Sequence, residues 1–246
     1  MTNLDLEASG RGRSAHDDVR QARVAGLLYL VVIAGGLFAE VGVRQPLIVP
    51  GDAAGTIAAI VTNTSLWRWG LAVHLLYHLP AVVLYAILYR LFRPVHVTLA
   101  RLGLLFGMVS LTVEAIAVQH LYLPLAVMQE GTSLAGLGEE QLVALTYLAT
   151  RQFSTSWAFG LIHFAGFCIA TGLLILRSNL VPRAIGVMMI VAGLCYPINS
   201  LTYSLARDLS DMLVPWILVP VLIGELSLAL WLTVKGVNSG RGTSRP

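Results

Sequence analysis

The sequence predicts an all-α fold, a polytopic transmembrane helical bundle of six spans with both termini cytoplasmic. Three observations predict it. The chain of 246 residues is 57% hydrophobic with a mean hydropathy of +0.77, too apolar for a soluble globule of this size. Its charged residues, 12% of the total, fall almost entirely between long apolar runs or at the two ends. The basic residues, finally, alternate in density from one connection to the next in the way the positive-inside bias requires.

A hydrocarbon core about 30 Å thick takes roughly 20 apolar residues per helix, which sets the length of each element. Residues 1–22 form a polar, mixed-charge stretch expected to be a disordered cytoplasmic tail. The first span, Val24–Val43, is too long for a secretory signal and no clean small-x-small cleavage site follows before Glu40, so it is expected to be retained. Pro46–Asp52 is turn-rich, and Asp52 is placed to N-cap a short apolar helix, Ala53–Asn63. The second span is Trp67–Tyr89 and the third Leu102–Met128. An amphipathic stretch, Glu139–Arg151, leads into the fourth span, Ser154–Leu176. It and the Ala53–Asn63 helix read as ordinary interfacial connectors, with an extracytoplasmic lid as the alternative. The fifth span is Ala184–Leu205 and the sixth Leu213–Val234. Spans one, three and five open alike, on an arginine followed closely by glycine, which interfacial anchoring and helix packing explain without a repeat. The expected organisation is one membrane domain, 23–236, closed by a cytoplasmic tail, 237–246.

With the N-terminus cytoplasmic, twelve basic residues fall inside: Arg11, Arg13, Arg20, Arg23, Arg90, Arg93, Arg101, Arg177, Arg183, Lys235, Arg241 and Arg245. Four fall outside: Arg44, Arg68, Arg151 and Arg207. The net charge of +3 is thus explained by topology, and the N-terminal arginines are interleaved with Asp5, Glu7, Asp17 and Asp18. A nucleic-acid partner is not expected. The bilayer is, and the expected address is a bacterial inner (plasma) membrane. Cys168 and Cys195 lie within spans, lack metal-ligand spacing, and read as small hydrophobes.

Function is sought among the ionisable groups inside the spans, each costing about 2.5–3.5 kcal/mol on insertion scales unless partnered. They are Glu40, Glu114, Glu225, His74, His78, His120 and His163. Helical spacing places Gly26, Tyr29, Ile33, Gly36 and Glu40 on one stripe, and Gly103, Gly107, Ser110, Glu114 and Ala117 on another. Small residues beside a carboxyl mark a face turned toward other helices. Glu114 and Glu225 fall near mid-membrane and Glu40 near the outer end. His74 and His78, four apart before Pro80, could share a metal ion with His163. His120 lies about 120° around its helix from Glu114 and is left out of the cluster. His96 and His16 are read as solvated. Pro80, Pro124, Pro197 and Pro220 interrupt four spans, and the polar kink Tyr196–Ser200 adds Asn199 to the binding candidates. Each intramembrane polar group also has a structural reading, a hydrogen bond holding helices in register.

The residues Ala22–Leu30, Gly36–Glu40, Leu47–Ala54, Pro182–Val187 and the closing run Gly224–Asn238 are similar to the bacterial membrane family catalogued as domain of unknown function 4386. The resemblance spans roughly residues 22–238 and implies a multi-helix membrane protein of uncharacterised activity.

Three classes of function follow from the polar interior. In the first, Glu40, Glu114, Glu225 and Asn199 bind protons or a small or lipophilic solute. In the second, His74, His78 and His163 hold a metal for intramembrane chemistry on a lipid-like substrate, with Glu114 as base. The third is a haem held by transmembrane histidines, for which His78 and His163 supply one pair. No phosphate loop, nucleophile elbow, Cys-x-x-Cys or His-Glu-x-x-His is present to suggest soluble-enzyme chemistry. Six spans is small for a secondary transporter, and a homodimer would remedy that.

Overall fold

The spans are helices, and the chain closes them into a ring. The computed structural model describes residues 3–129 and 136–238, and among these no residue is in a strand. Six helices are long and apolar enough to cross a membrane: His16–Leu47, Thr64–Phe92, Val97–Val127, Glu139–Arg177, Arg183–Leu205 and Trp216–Val234. The protein is therefore a multi-pass integral membrane protein.

The first helix, α1 (Asn3–Leu37), begins well before the apolar run, so that residues expected as a disordered tail continue the helix from Asn3. The stretch lacks proline, and its alanine, leucine and arginine residues favour a helix. A π-helical segment, Phe38–Arg44, and a short turn, α2 (Gln45–Leu47), extend it. Then comes α3 (Ala53–Thr62), where the Asp52 side chain accepts from the Gly55 amide at 2.8 Å, as its N-cap position requires. The second span is broken at Tyr77 into α4 (Thr64–Leu76) and α5 (His78–Phe92). Pro80 lacks an amide proton for the Leu76 carbonyl, and the ladder parts there. The third span is α6 (Val97–Gln119), a 3₁₀ turn at His120–Tyr122 and α7 (Leu123–Gln129), the irregularity falling one turn before Pro124.

The fourth span and the amphipathic stretch before it fuse into one 39-residue helix, α8 (Glu139–Arg177). α9 (Arg183–Leu205) carries Pro197 inside without a break, and α10 (Arg207–Val234) likewise continues through Pro220. Gly236, at φ 73°, ends α10 in the left-handed conformation that glycine adopts freely. Beyond it Asn238 is tied back, its amide to the Leu180 carbonyl at 3.0 Å and its side chain to the Asn179 carbonyl at 2.9 Å.

Each spanning helix packs on its neighbours in the chain, α5 on α6, α6 on α8, α8 on α9 and α9 on α10; α1 packs on both α5 and α10 and closes the ring. Lipid tails are as apolar as leucine, so close approach rather than hydrophobic burial holds such a ring. At the α1–α10 seam a β-carbon on Gly26 would collide with Thr233 and Ala229, which shows how near the two backbones run. At the α8–α9 seam Gly172 and Gly186 meet through their backbones in the same way. Leu27, Val31, Leu105, Phe159, Val187 and Leu230 are exposed on the outside, as a lipid-facing surface requires.

With six crossings both termini lie at one end, and contacts there agree: Asp18 pairs with Arg90 at 3.7 Å and Arg23 donates to the Val234 carbonyl at 3.5 Å. At the opposite end α3 packs against the N-terminal part of α8, and the Gly51 amide donates to the Tyr147 hydroxyl at 3.2 Å. Trp67 donates to the Leu121 carbonyl at 3.1 Å and packs with Val43, Ile60 and Phe153 in a second apolar core at this end.

Candidate functional site

The ring directs a polar or aromatic side chain inward from every one of its six helices: Tyr29, Tyr85, Glu114, Phe167, Tyr196 and Glu225. Glu114 and Glu225 are 9% and 8% exposed, so each carboxyl must find its partners within the protein. Glu225 on α10 accepts from the Tyr29 hydroxyl of α1 at 3.2 Å and from the Tyr196 hydroxyl of α9. One side chain thereby ties three helices. Around it Phe164 meets Tyr196 edge-on at 5.2 Å, and Tyr85 leans on Phe167 at 4.7 Å between ring centroids.

Glu114 on α6 has a different shell. Ser110 Oγ lies 2.9 Å from Glu114 Oε1 and 2.9 Å from the Gly160 carbonyl of α8. A hydroxyl has one proton to give. With Glu114 ionised, Ser110 must choose between the carboxylate and the carbonyl. With Glu114 protonated, its O–H donates to Ser110 and Ser110 donates to Gly160, so both bonds form together. The proton on Glu114 therefore decides whether both bonds can form at once. The Tyr77 hydroxyl, from the break between α4 and α5, also faces Glu114. Glu114 and Glu225 are close enough to feel each other's charge, and among the described residues neither has a cationic partner.

A second polar cluster sits toward the end opposite the termini. Glu40, in the π-helical segment, makes a bidentate pair with Arg44, one bond 2.6 Å long, and Arg44 also donates to Ser154 Oγ at 3.3 Å. The arginine plane lies 5.0 Å over the Phe153 ring. The sequence places Glu40 near the outer end of the first span and Arg44 outside it; the helix continues past the apolar run and pairs them. His74, 1% exposed, is enclosed by the rings of Tyr77, Phe153 and Trp157 at 5.6–5.8 Å.

The histidines do not gather. The break at Tyr77 turns His78 onto its own backbone, where Nδ1 meets the His74 carbonyl and the ring stacks on Tyr77 at 4.6 Å. His163 Nδ1 lies 2.9 Å from the Phe159 carbonyl on α8. Among the described residues no three His, Cys, Asp or Glu side chains come together as a metal site, so His74, His78 and His163 do not form the set their spacing suggested. His78 and His163 each turn Nδ1 onto the backbone carbonyl four residues earlier instead. Asn199 keeps its side-chain oxygen buried without a partner, and the kink's contribution to the carboxyl pair is Tyr196. Cys168 is buried and Cys195 half-buried, both free.

Sequence reasoning placed Tyr29 on a stripe with Glu40 and Tyr196 in the polar kink, but gave no tyrosine a role at the carboxyls. Their signal was there: Tyr29, Tyr77, Tyr85 and Tyr196 each stand inside an apolar run, and a buried phenol needs a partner for its hydroxyl. No curated protein and no solved structure matches the chain. The sequence profile of the family described as domain of unknown function (DUF4386) matches residues 24–236, nearly the whole described fold, and the chain belongs to that family.

Proposed function

We propose that the protein binds, and moves across the membrane, a small lipophilic solute in exchange for protons carried by Glu114 and Glu225. The observation that supports this most is the two carboxyls themselves, buried within the ring, held by hydroxyls and, among the described residues, without a cationic partner. A structural role would be served by a neutral amide. A buried carboxylate without a cationic partner among the described residues suits a positively charged solute, which satisfies the charge when the proton leaves. The Ser110 arrangement connects proton occupancy to helix packing, since loss of the Glu114 proton leaves Ser110 one proton for two acceptors, the carboxylate and the Gly160 carbonyl.

The imbalance of twelve basic residues against four supports a topology with both termini cytoplasmic, in the inner membrane of a bacterium. The unit that acts is the membrane domain, 23–236, working singly or as a homodimer.

The test adds tetraphenylphosphonium, a lipophilic cation, to purified protein in lightly buffered detergent and follows proton release with a pH dye. Wild type is expected to release protons in proportion to bound cation. Glu225→Gln and Glu114→Gln are expected to lower both binding and release. Binding without proton release, or release that persists in both variants, refutes the proposal.

A further inference from the structure

At the end of the bundle that carries the termini, α1 and α5 leave a groove of about 430 Å³ between them. Its walls are Asp17, Arg20 and Gln21 from α1 and Arg90 from α5, and its floor includes Val24 and Ile87. Polar walls over an apolar floor, at the edge of a membrane-spanning surface, match the boundary between lipid headgroup and acyl chain. From this lining we infer that the groove binds a phospholipid with a primary-ammonium headgroup, of the phosphatidylethanolamine type. The inference is independent of the carboxyl pair.

The lining selects the headgroup by charge. Arg20 and Arg90 offer guanidinium forks to a phosphate. Asp17 stands in the same groove, and Asp18 lies 3.7 Å from Arg90, so the two carboxylates offset the two arginines. An anionic headgroup would meet Asp17 unfavourably. A zwitterionic one places its phosphate on the arginines and its cation on Asp17. The side-chain oxygen of Gln21 is buried without a hydrogen-bond donor. An ammonium has N–H groups to give to Asp17 and to Gln21, whereas a quaternary choline has none and is held by aromatic faces. None of the residues lining the groove is aromatic.

The experiment measures thermal unfolding of the purified protein in mixed micelles containing phosphatidylethanolamine, phosphatidylcholine or phosphatidylglycerol. Wild type is expected to be stabilised by phosphatidylethanolamine at about tenfold lower lipid fraction than by the other two, the worth of one charge-assisted hydrogen bond. Asp17→Asn should bring phosphatidylethanolamine to the level of phosphatidylcholine, and Asp17→Glu should keep the preference. Arg20→Gln with Arg90→Gln should abolish it, and Arg101→Gln, at the same end on α6, should leave it intact. Equal stabilisation by the three lipids, a preference for phosphatidylglycerol, or a preference that survives in Asp17→Asn or in the double arginine variant overturns the inference.

Discussion

Two glycines of α1 that share a helical stripe should respond oppositely to the same substitution. In Gly26→Ala the new methyl would lie 2.5 Å from Thr233 Oγ1 and 2.8 Å from the Ala229 carbonyl oxygen, and closer still to the Thr233 amide nitrogen. Ordinary contact begins near 3.4 Å, so α1 and α10 must part by about 0.9 Å or more. A gap of that size forfeits about a quarter to a half of the dispersion energy along the seam, and overpacking of this kind costs about 1–3 kcal/mol. The gain in helix propensity returns at most about 1 kcal/mol. The expected net loss is about 1–2 kcal/mol. Tyr29 lies one turn further along the same seam, and its 3.2 Å bond to Glu225 would open toward about 4 Å, past hydrogen-bonding range. In Gly36→Ala the methyl meets nothing within 4 Å, so propensity alone acts and the variant should gain about 0.5–1 kcal/mol. Unfolding free energies in bicelles, followed by tryptophan fluorescence, measure both. If the two variants shift stability in the same direction by similar amounts, the α1–α10 seam is not packed as described and the reasoning fails.

Other expectations test the two polar clusters and the outer helix. Arg44→Gln leaves Glu40 without its cation at a site where the pair is 16% and 21% exposed, and should cost about 2–3 kcal/mol in the same unfolding assay. Glu40→Gln combined with Arg44→Gln should recover most of that loss. Tyr196→Phe removes one of the two donors to Glu225 and should cost about 0.6–2 kcal/mol, an effect that vanishes in a Glu225→Leu background when the double-mutant cycle is completed. Asp52→Ala deletes the 2.8 Å cap on Gly55 and should cost about 1 kcal/mol, with faster amide exchange confined to α3.

The spans were legible because twenty apolar residues have few other uses, and the Asp52 cap because its chemistry is local. Glu114 and Glu225 were legible as inward-facing for a similar reason: a carboxyl in hydrocarbon is costly anywhere but inside. Their partners were not legible. Tyr29 and Glu225 are separated by 196 residues, and spacing within a helix gives an angle, not the helix that faces it. The histidines failed for a local reason. An i, i+4 pair shares a face only on an unbroken helix, and the missing amide of Pro80 parts the helix at Tyr77, between them. Glu40 and Arg44 are four apart and were read separately because the apolar run ends at Val43, while the helix does not.

The irregular backbone is unevenly distributed, and that bears on how such a ring could open. α8, α9 and α10 run through without interruption, Pro197 and Pro220 included, and α6 is regular as far as Gln119, beyond Glu114. The α6–α8 and α8–α9 contacts are the most extensive in the molecule. The π-helical segment of Phe38–Arg44 and the break at Tyr77 instead fall on adjoining helices, α1 and α4, and both border the His74 cluster. Tyr77 belongs to both polar layers, its ring against His74 and His78 and its hydroxyl toward Glu114. A helix that has already lost hydrogen bonds bends there at little further cost. A ring that opens around its carboxyls would therefore hinge at Tyr77 and at Phe38–Arg44, moving α4 and the end of α1 against a fixed α6–α8–α9 frame. The same motion would part Tyr77 from Glu114, so a change of protons at the carboxyl and a change of access at the far end would pass through one side chain.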